Sequence, residues 1–335
     1  MKKILKVLLL FLCIKVNASI VVMDADSGRV LYSKNMNEQR LIASTTKIMT
    51  SIIALENGNL NDTYVVGEEI KSANGSMIYA KIGEKFTLND LLHGLMLQSG
   101  NDAAMTIASN VMKYDEFIAA MNIKAFKLGM YNTYYENPHG LNDNTKNKST
   151  AYDMALLMRY AIKNKDFLRI TRTRKYIVGR YIWYNKNELL RDYKYTISGK
   201  IGFTKKSGPV FVSSAKKDNK TLIIVSIDES DKFKLHKKLY EEFFNKYNRY
   251  KILDKNIFSF KVKNNNYDNY YIENDFYMLL KSNEINKVDI KANIGNHYNY
   301  ASVYFDNKII HNEKIYRLSY NERNNKIKEI LSFFK

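Results

Sequence analysis

The chain has 335 residues, with 53 Lys and Arg against 34 Asp and Glu and a formal charge of +19. Its one cysteine, Cys13, excludes a disulfide framework, and its five histidines show no metal-binding spacing such as His-Glu-x-x-His, so no metal or other cofactor is expected. The positive balance suits anionic lipid headgroups and wall polymers better than nucleic acid, although enrichment in Lys, Asn, Tyr and Ile throughout is the simpler cause.

The chain opens MKKILKVLLLFLCIKVNA, with Lys2 and Lys3 ahead of an apolar stretch from Ile4 to Ile14 and a small residue at Ala18. That is the layout of a secretory signal peptide, too short in its apolar run for a stable membrane span. Export is expected, to the extracytoplasmic face of the membrane or the cell wall. The mature chain would start near Ser19.

Ser19–Asp24 and Arg29–Ser33 then flank Ala25-Asp26-Ser27-Gly28 as a β-hairpin. From Ser44 to about Glu56 the period is helical, with Ile48, Ile52 and Leu55 on one stripe. Thr87-Leu88-Asn89-Asp90 resembles a capping box and opens a helix running to about Leu97. Helical patterns follow over 102–112, 115–128 and 151–163. Lys200–Thr204, Pro209–Ala215 and Thr221–Ile227 read as strands, and Lys232–Tyr247 as a helix burying Leu235, Leu239 and Phe243.

Strands at both ends of this region and helices between them must share a core. The expected class is therefore α+β, with the N-terminal hairpin and the late strands in one antiparallel sheet covered by helices. From about Ile252, β-like runs between Asn-rich turns predict a small separate β-domain. The expected organisation is a signal peptide over 1–18, a main domain over 19–250, a β-rich domain over 251–318 and an amphipathic helix over 319–335. In that helix Ile327, Ile330, Leu331 and Phe334 share a face flanked by Lys326, Lys328 and Lys335, which suits an anionic membrane surface.

Three short patterns carry the candidate chemistry. Ser-x-x-Lys recurs along the chain, but only Ser44–Lys47 sits where a loop meets a helix N-terminus, and three residues of helix turn both side chains to one side. For Lys47 to act as a base it must be neutral, which takes a pKa shift of roughly three units, about 4 kcal/mol. Burial and a second nearby cation supply such a shift, so a nucleophilic Ser44 predicts another lysine in the site. Ser-x-Asn at Ser99–Asn101 lies between two helices, with Asp102 read as a cap of the second. Lys-x-Gly at Lys200–Gly202 begins a strand, where glycine lets a ligand approach backbone N–H groups able to bind an oxyanion.

In this order and setting the three patterns match the Ser-x-x-Lys, Ser-Asp-Asn and Lys-Thr-Gly set of penicillin-binding proteins and class A β-lactamases. The chain resembles the low-molecular-weight penicillin-binding proteins that are serine-type D-alanyl-D-alanine carboxypeptidases. The likeness extends to IVVMDADSGRVLYSKN, GSMIYAKIGEKFTLNDLLHGLMLQSGNDAA, ENPHGLND, STAYDMALL and NKNELL, over roughly residues 19–247. It implies the β-lactamase/transpeptidase-like fold, an antiparallel sheet flanked by helices with a helical subdomain. It also implies peptidoglycan stem peptides as substrate and β-lactams as covalent inhibitors. On this resemblance Ser44 is the acylated nucleophile, Lys47 its proton acceptor, Ser99 a proton relay to the leaving D-alanine, Asn101 a substrate contact and Lys200 the second cation. The backbone N–H groups of Ser44 and Phe203 form the oxyanion hole beside Gly202. His139 is expected to be structural.

Two departures stand out. Lys200-Ile201-Gly202 replaces the hydroxyl of the family's middle residue by an alkyl group, for which Thr204 is the expected substitute. After the last strand, Asp228-Glu229-Ser230-Asp231-Lys232 stands where the family carries glycines and a carboxylate-binding arginine, leaving Lys205 or Lys232 for that role. These departures keep two alternatives open, a D,D-endopeptidase of peptidoglycan cross-links and a non-catalytic wall-binding protein. A β-lactamase fits less well, because Gly100 follows Ser99 and no Glu-x-x-Leu-Asn segment is present.

Overall fold

The computed structural model describes residues 18–141, 147–255, 259–261, 267–295 and 299–317. The expected terminal helix and all but the last residue of the expected signal peptide lie outside the described residues. The hairpin is Ser19–Asp24 (β1) and Val30–Lys34 (β2). Helices follow at Lys47–Asn57 (α1), Leu88–His93 (α2), Asn101–Val111 (α3), Tyr114–Lys127 (α4), Ala151–Ala161 (α5) and Lys165–Arg172 (α6). A second hairpin, Lys175–Val178 (β3) with Tyr181–Tyr184 (β4), precedes the long strands Thr196–Thr204 (β5), Gly208–Lys217 (β6) and Lys220–Ile227 (β7), and Lys232–Lys246 (α7) closes the region.

Five of these strands form one antiparallel sheet in the order β2-β1-β7-β6-β5. β1 is buried throughout because its alternating side chains feed two cores. Val21 and Met23 join the helical core with Ile48, Met49, Ile52, Val212 and Val225, while Ile20 and Val22 join Phe211, Leu222, Ile224 and the α7 residues Leu239, Tyr240, Phe243 and Phe244. The sheet is thus covered on both faces. α1 has its residues from Lys47 to Ala54 buried, so it runs through the middle of the molecule and not along its surface.

Two expected helices differ locally. The one expected from Ser44 opens with a 3-10 turn over Ala43–Thr46 before α1 begins. α2 starts as expected, with Thr87 and Asp90 in a reciprocal capping box, but after His93 it widens into a π turn over Gly94–Gln98. A Cβ on Gly94 would lie 2.7 Å from Ile78 Cγ2, so the glycine allows the neighbouring loop to close onto this turn.

Beyond α7, Asn248–Leu253 (β8) pairs with Phe276–Leu280 (β9). Val288–Ile294 (β10), Asn299–Phe305 (β11) and Lys308–Lys314 (β12) make a three-stranded antiparallel sheet around Ala301 and Val303. This β unit is fastened to the β1–β2 turn. Arg29 donates to both carboxylate oxygens of Glu284, at 2.8 and 3.0 Å, and to the Leu279 carbonyl, and it lies 3.8 Å over the Phe305 ring. Among the described residues no helix is long and apolar enough to cross a membrane.

Candidate active site

Ser44 sits in the 3-10 turn between strand-like Arg40–Leu41 and α1. Ala43 before it has φ +45°, a conformation that costs a non-glycine residue energy and persists only where neighbours enforce it. One neighbour is Gly140, φ +91°, whose added Cβ would fall 1.9 Å from the Ala43 carbonyl oxygen. The other is β5, since a Cβ on Gly202 would meet the Ser44 and Thr45 nitrogens and the Ile42 oxygen at 3.0–3.1 Å. The turn is therefore clamped between a loop and a strand that are both glycine where they touch it.

Lys47 is fully buried. Its Nζ lies 2.6 Å from Asn101 Oδ1, 2.7 Å from the His139 carbonyl oxygen and 3.2 Å from Ser44 Oγ. The Asn101 amide is oriented by its own Nδ2, which donates to the Asn74 carbonyl, so oxygen faces the lysine. A neutral amine has two N–H bonds and one lone pair. Two close carbonyl acceptors take the N–H bonds, and the lone pair then faces the serine hydroxyl. Burial first, then the Lys200 and Lys186 charges, push Lys47 well below the ordinary ammonium range, with Asp102 opposing them. The second cation inferred from sequence is present, and Lys186 is a third that sequence reasoning missed.

Ser99 ends the π turn in the left-handed conformation, φ 66° and ψ 33°. Its hydroxyl accepts from Lys200 Nζ at 3.0 Å, and the same ammonium donates to the Ile201 carbonyl at 2.8 Å. Lys200 is buried and lowered to about 7, by burial first and by Lys186 second. Asp102 is not the expected cap of α3, because the helix starts at Asn101 with Gly100 as its N-cap and Asp102 lies in the first turn. Its carboxylate accepts from the Ile78 and Ala80 N–H groups at 2.9–3.2 Å, while the Asn101 N–H donates to the Ser76 carbonyl. Residues 74–80 are thereby tied across the Ser99–Asn101 turn, a contact invisible in the linear pattern. His139 is lowered to about 3 by burial and by Lys47, so its ring is neutral, with Nδ1 accepting from the Leu141 N–H.

Pleating separates the residues of β5. Lys200 pairs with Val212 and faces the helical side, whereas Ile201 pairs with Phe211 and packs on the cluster beneath α7. The Ile201 alkyl group thus has an apolar environment of its own. Gly202 and Thr204 share the Lys200 face. The Thr204 hydroxyl lies 3.0 Å from both the Ser207 hydroxyl and the Ser207 nitrogen, in the turn to β6. Phe203 is 66% exposed. A literal Lys-Ser-Gly at Lys206–Gly208 belongs to that turn and lies outside the lysine cluster. Here Arg40, Leu41, Lys205, Lys206, Ser207, Gly208 and Asp228 line a cavity of about 350 Å³. Arg40 lies 3.7 Å from Asp228 and 2.8 Å from Glu38. The acidic Asp228 is therefore matched by an arginine from the segment leading into Ser44.

Residues 14–231 match the family model described as D-alanyl-D-alanine carboxypeptidase. The chain belongs to this family. It is 35% identical over 218 residues to the D-alanyl-D-alanine carboxypeptidase DacF of Bacillus subtilis, covering 62% of this chain and 56% of that protein. It is also 35% identical over 209 residues to DacB2 of Mycobacterium tuberculosis, covering 61% of this chain and 72% of that one. The match thus spans little more than half of the Bacillus relative. Among solved structures, the D-alanyl-D-alanine carboxypeptidase of Mycobacterium tuberculosis H37Rv is similar at TM-score 0.65 and 31% identity, over 68% of this chain and 90% of that chain. Penicillin binding protein 5 of Haemophilus influenzae has TM-score 0.75 over 90% of this chain and 96% of that chain. At 22% identity it speaks for the fold alone. The expected fold class is the one found.

Proposed function

We propose that the chain is a penicillin-sensitive serine D,D-carboxypeptidase that removes the terminal D-alanine of peptidoglycan stem peptides through a Ser44 acyl-enzyme. The observation that carries this reading is the buried Lys47 Nζ standing 3.2 Å from Ser44 Oγ while the Asn101 and His139 carbonyl oxygens lie 2.6 and 2.7 Å from it, an arrangement that leaves a neutral amine's lone pair for the serine. Ser44 Oγ attacks the penultimate carbonyl carbon while its proton passes to Lys47 Nζ. The oxyanion takes N–H bonds from Ser44 and Phe203, a geometry supported by the press of Gly202 against the Ser44 nitrogen. As the C–N bond breaks, the leaving amine takes a proton from Ser99, which is resupplied from the lysine cluster. Water then attacks the ester carbonyl carbon and gives a proton to Lys47, which passes it to the departing Ser44 Oγ as the acyl–oxygen bond breaks and the shortened peptide is released.

Carboxypeptidase action also needs a place for the substrate's terminal carboxylate. The cavity at the end of β5, where Arg40, Lys205 and Lys206 outnumber the lining carboxylate of Asp228, has that chemistry and takes over from the arginine missing near Asp228. It favours the carboxypeptidase over the endopeptidase and wall-binding alternatives. Export, and attachment to an anionic membrane through residues 319–335, belong to the same reading.

The test is D-alanine release from a stem pentapeptide ending in D-Ala-D-Ala, with Ser44→Ala alongside and fluorescent penicillin as a covalent probe. Release and labelling that both vanish in the variant are expected. A wild-type chain that neither releases D-alanine nor labels sinks the reading, and labelling without release moves it to the endopeptidase.

A further inference from the structure

The π turn over Gly94–Gln98 ends without a following helical turn, so its last carbonyls need partners from elsewhere. Lys186 supplies them twice. Its backbone N–H points to the Leu97 carbonyl at 3.4 Å, and its Nζ donates to the Gln98 carbonyl at 2.9 Å. Lys186 is itself held by flanking asparagines. Asn185 Nδ2 donates to the Thr171 and Thr173 carbonyls at 3.0 Å, and Asn187 Oδ1 accepts from the Leu189 N–H at 3.2 Å. The next residue after Gln98 is Ser99, left-handed and in contact with Lys200.

We propose that Lys186 is a positioning residue of the reaction, fixing the end of the π turn so that the Ser99 hydroxyl stands against Lys200. A left-handed serine is a strained conformation that relaxes unless both sides of it are held. α3 and the Asp102 contacts hold the far side, and Lys186 holds the near one. Its charge acts in the same direction. The charged and titratable groups around Lys47 are Lys200 from β5, Asp102 from α3, Lys186 from the loop after β4 and the neutral His139 from the loop after α4. Lys186 is the exposed member of this group, so it changes the site's electrostatics from the rim without being packed in the core.

The inference rests on the Ser44 acylation reading, and the experiment separates the two. The rate of acylation of the full chain by fluorescent penicillin is followed from pH 6 to 9 for the wild type, Lys186→Met and Lys186→Arg. Lys186→Met is expected to lose about tenfold at pH 7, with its acid limb moved to higher pH as Lys47 holds its proton more tightly. Arginine keeps the charge and the donor to the Gln98 carbonyl, and is expected to restore both rate and limb. A methionine profile that superimposes on the wild type overturns the proposal. So does a loss that arginine fails to restore, or one that leaves the limb in place. A wild type that takes no penicillin at any pH sinks the parent reading instead.

Discussion

Gly202 stands so close to Ser44 that a Cβ on the glycine would lie 3.0 Å from the serine's backbone nitrogen, with the Ile42 oxygen and Thr45 nitrogen at 3.1 Å. All three are backbone atoms, so none swings away as a flexible side chain would. Gly202→Ala must therefore push the strand and the nucleophile turn apart. If this approach sets the two N–H groups proposed for the oxyanion, acylation by penicillin is expected to fall about 100-fold, the usual cost of one lost oxyanion donor. The sheet should tolerate the change, with a thermal midpoint near that of the wild type. Wild-type acylation in this variant would refute the account of β5.

With Lys47 required neutral and Lys200 required charged, the two buried lysines predict a bell-shaped pH dependence. Rate rises with pH as Lys47 loses its proton, which burial and its cationic neighbours bring well below the usual lysine range. It falls again as Lys200, lowered to about 7, loses the charge that faces Ser99. Lys200→Arg keeps that charge at every accessible pH, so its alkaline limb should disappear even if the peak rate drops. Lys200→Met should lose rate at all pH values. A limb in the arginine variant at the wild-type position would assign it to another group.

The parts of this site readable from sequence are those in which one helical turn or one strand fixes the relation. Ser44 and Lys47 are three residues apart, and their 3.2 Å contact follows from helical spacing. The Lys200–Ser99 contact spans 101 positions, and only the resemblance to a known family joined them. Nothing local places Arg40 against Asp228, Lys186 against Gln98 or residues 74–80 over Asn101, because each depends on how helices, loops and sheet dock. Ile201 looked like a lost hydroxyl in the linear motif, and the pleat of β5 gives it an apolar face. The β3–β4 hairpin was missed because apolar residues occupy both its faces, with Ile177 and Ile182 exposed opposite Tyr176 and Trp183, so no alternation marks it.

Acid should destabilise the fold through its buried histidines. His139 and His236 are each lowered to about 3 from the usual 6.5, mainly by burial, with Lys47 and Lys232 adding to it. The unfolded chain therefore binds protons below 6.5 that the folded chain refuses until about pH 3, and stability falls as pH drops through that window. Each histidine contributes a loss of about 2 kcal/mol by pH 5. His236 links the Ser213 and Ser226 hydroxyls across the sheet, so His236→Gln should cost stability at pH 7.5 but flatten the slope. Urea midpoints between pH 5 and 8 that are equally steep in the variant would clear His236 of this role.

Arg29 should matter to the architecture and not to the chemistry. Its guanidinium bridges the β1–β2 turn to Glu284 and Leu279 while lying on Phe305, and the side chains of the pair are only 10% and 13% exposed. Arg29→Ala leaves a carboxylate with little water around it, a loss of about 3 kcal/mol. Glu284→Gln keeps a neutral partner in place and should cost less, about 1 kcal/mol. The described contacts of Arg29 run to Glu284, Leu279, Phe305 and Tyr247 and not to Lys47, Lys200 or Lys186, so penicillin acylation by Arg29→Ala below its unfolding transition should stay within about twofold of wild type. Limited proteolysis should cut the variant first near Tyr247, between α7 and β8, where the β unit meets the rest. An acylation rate that falls along with the stability would mean that this unit supports the catalytic sheet through β1, and that the two halves do not act independently.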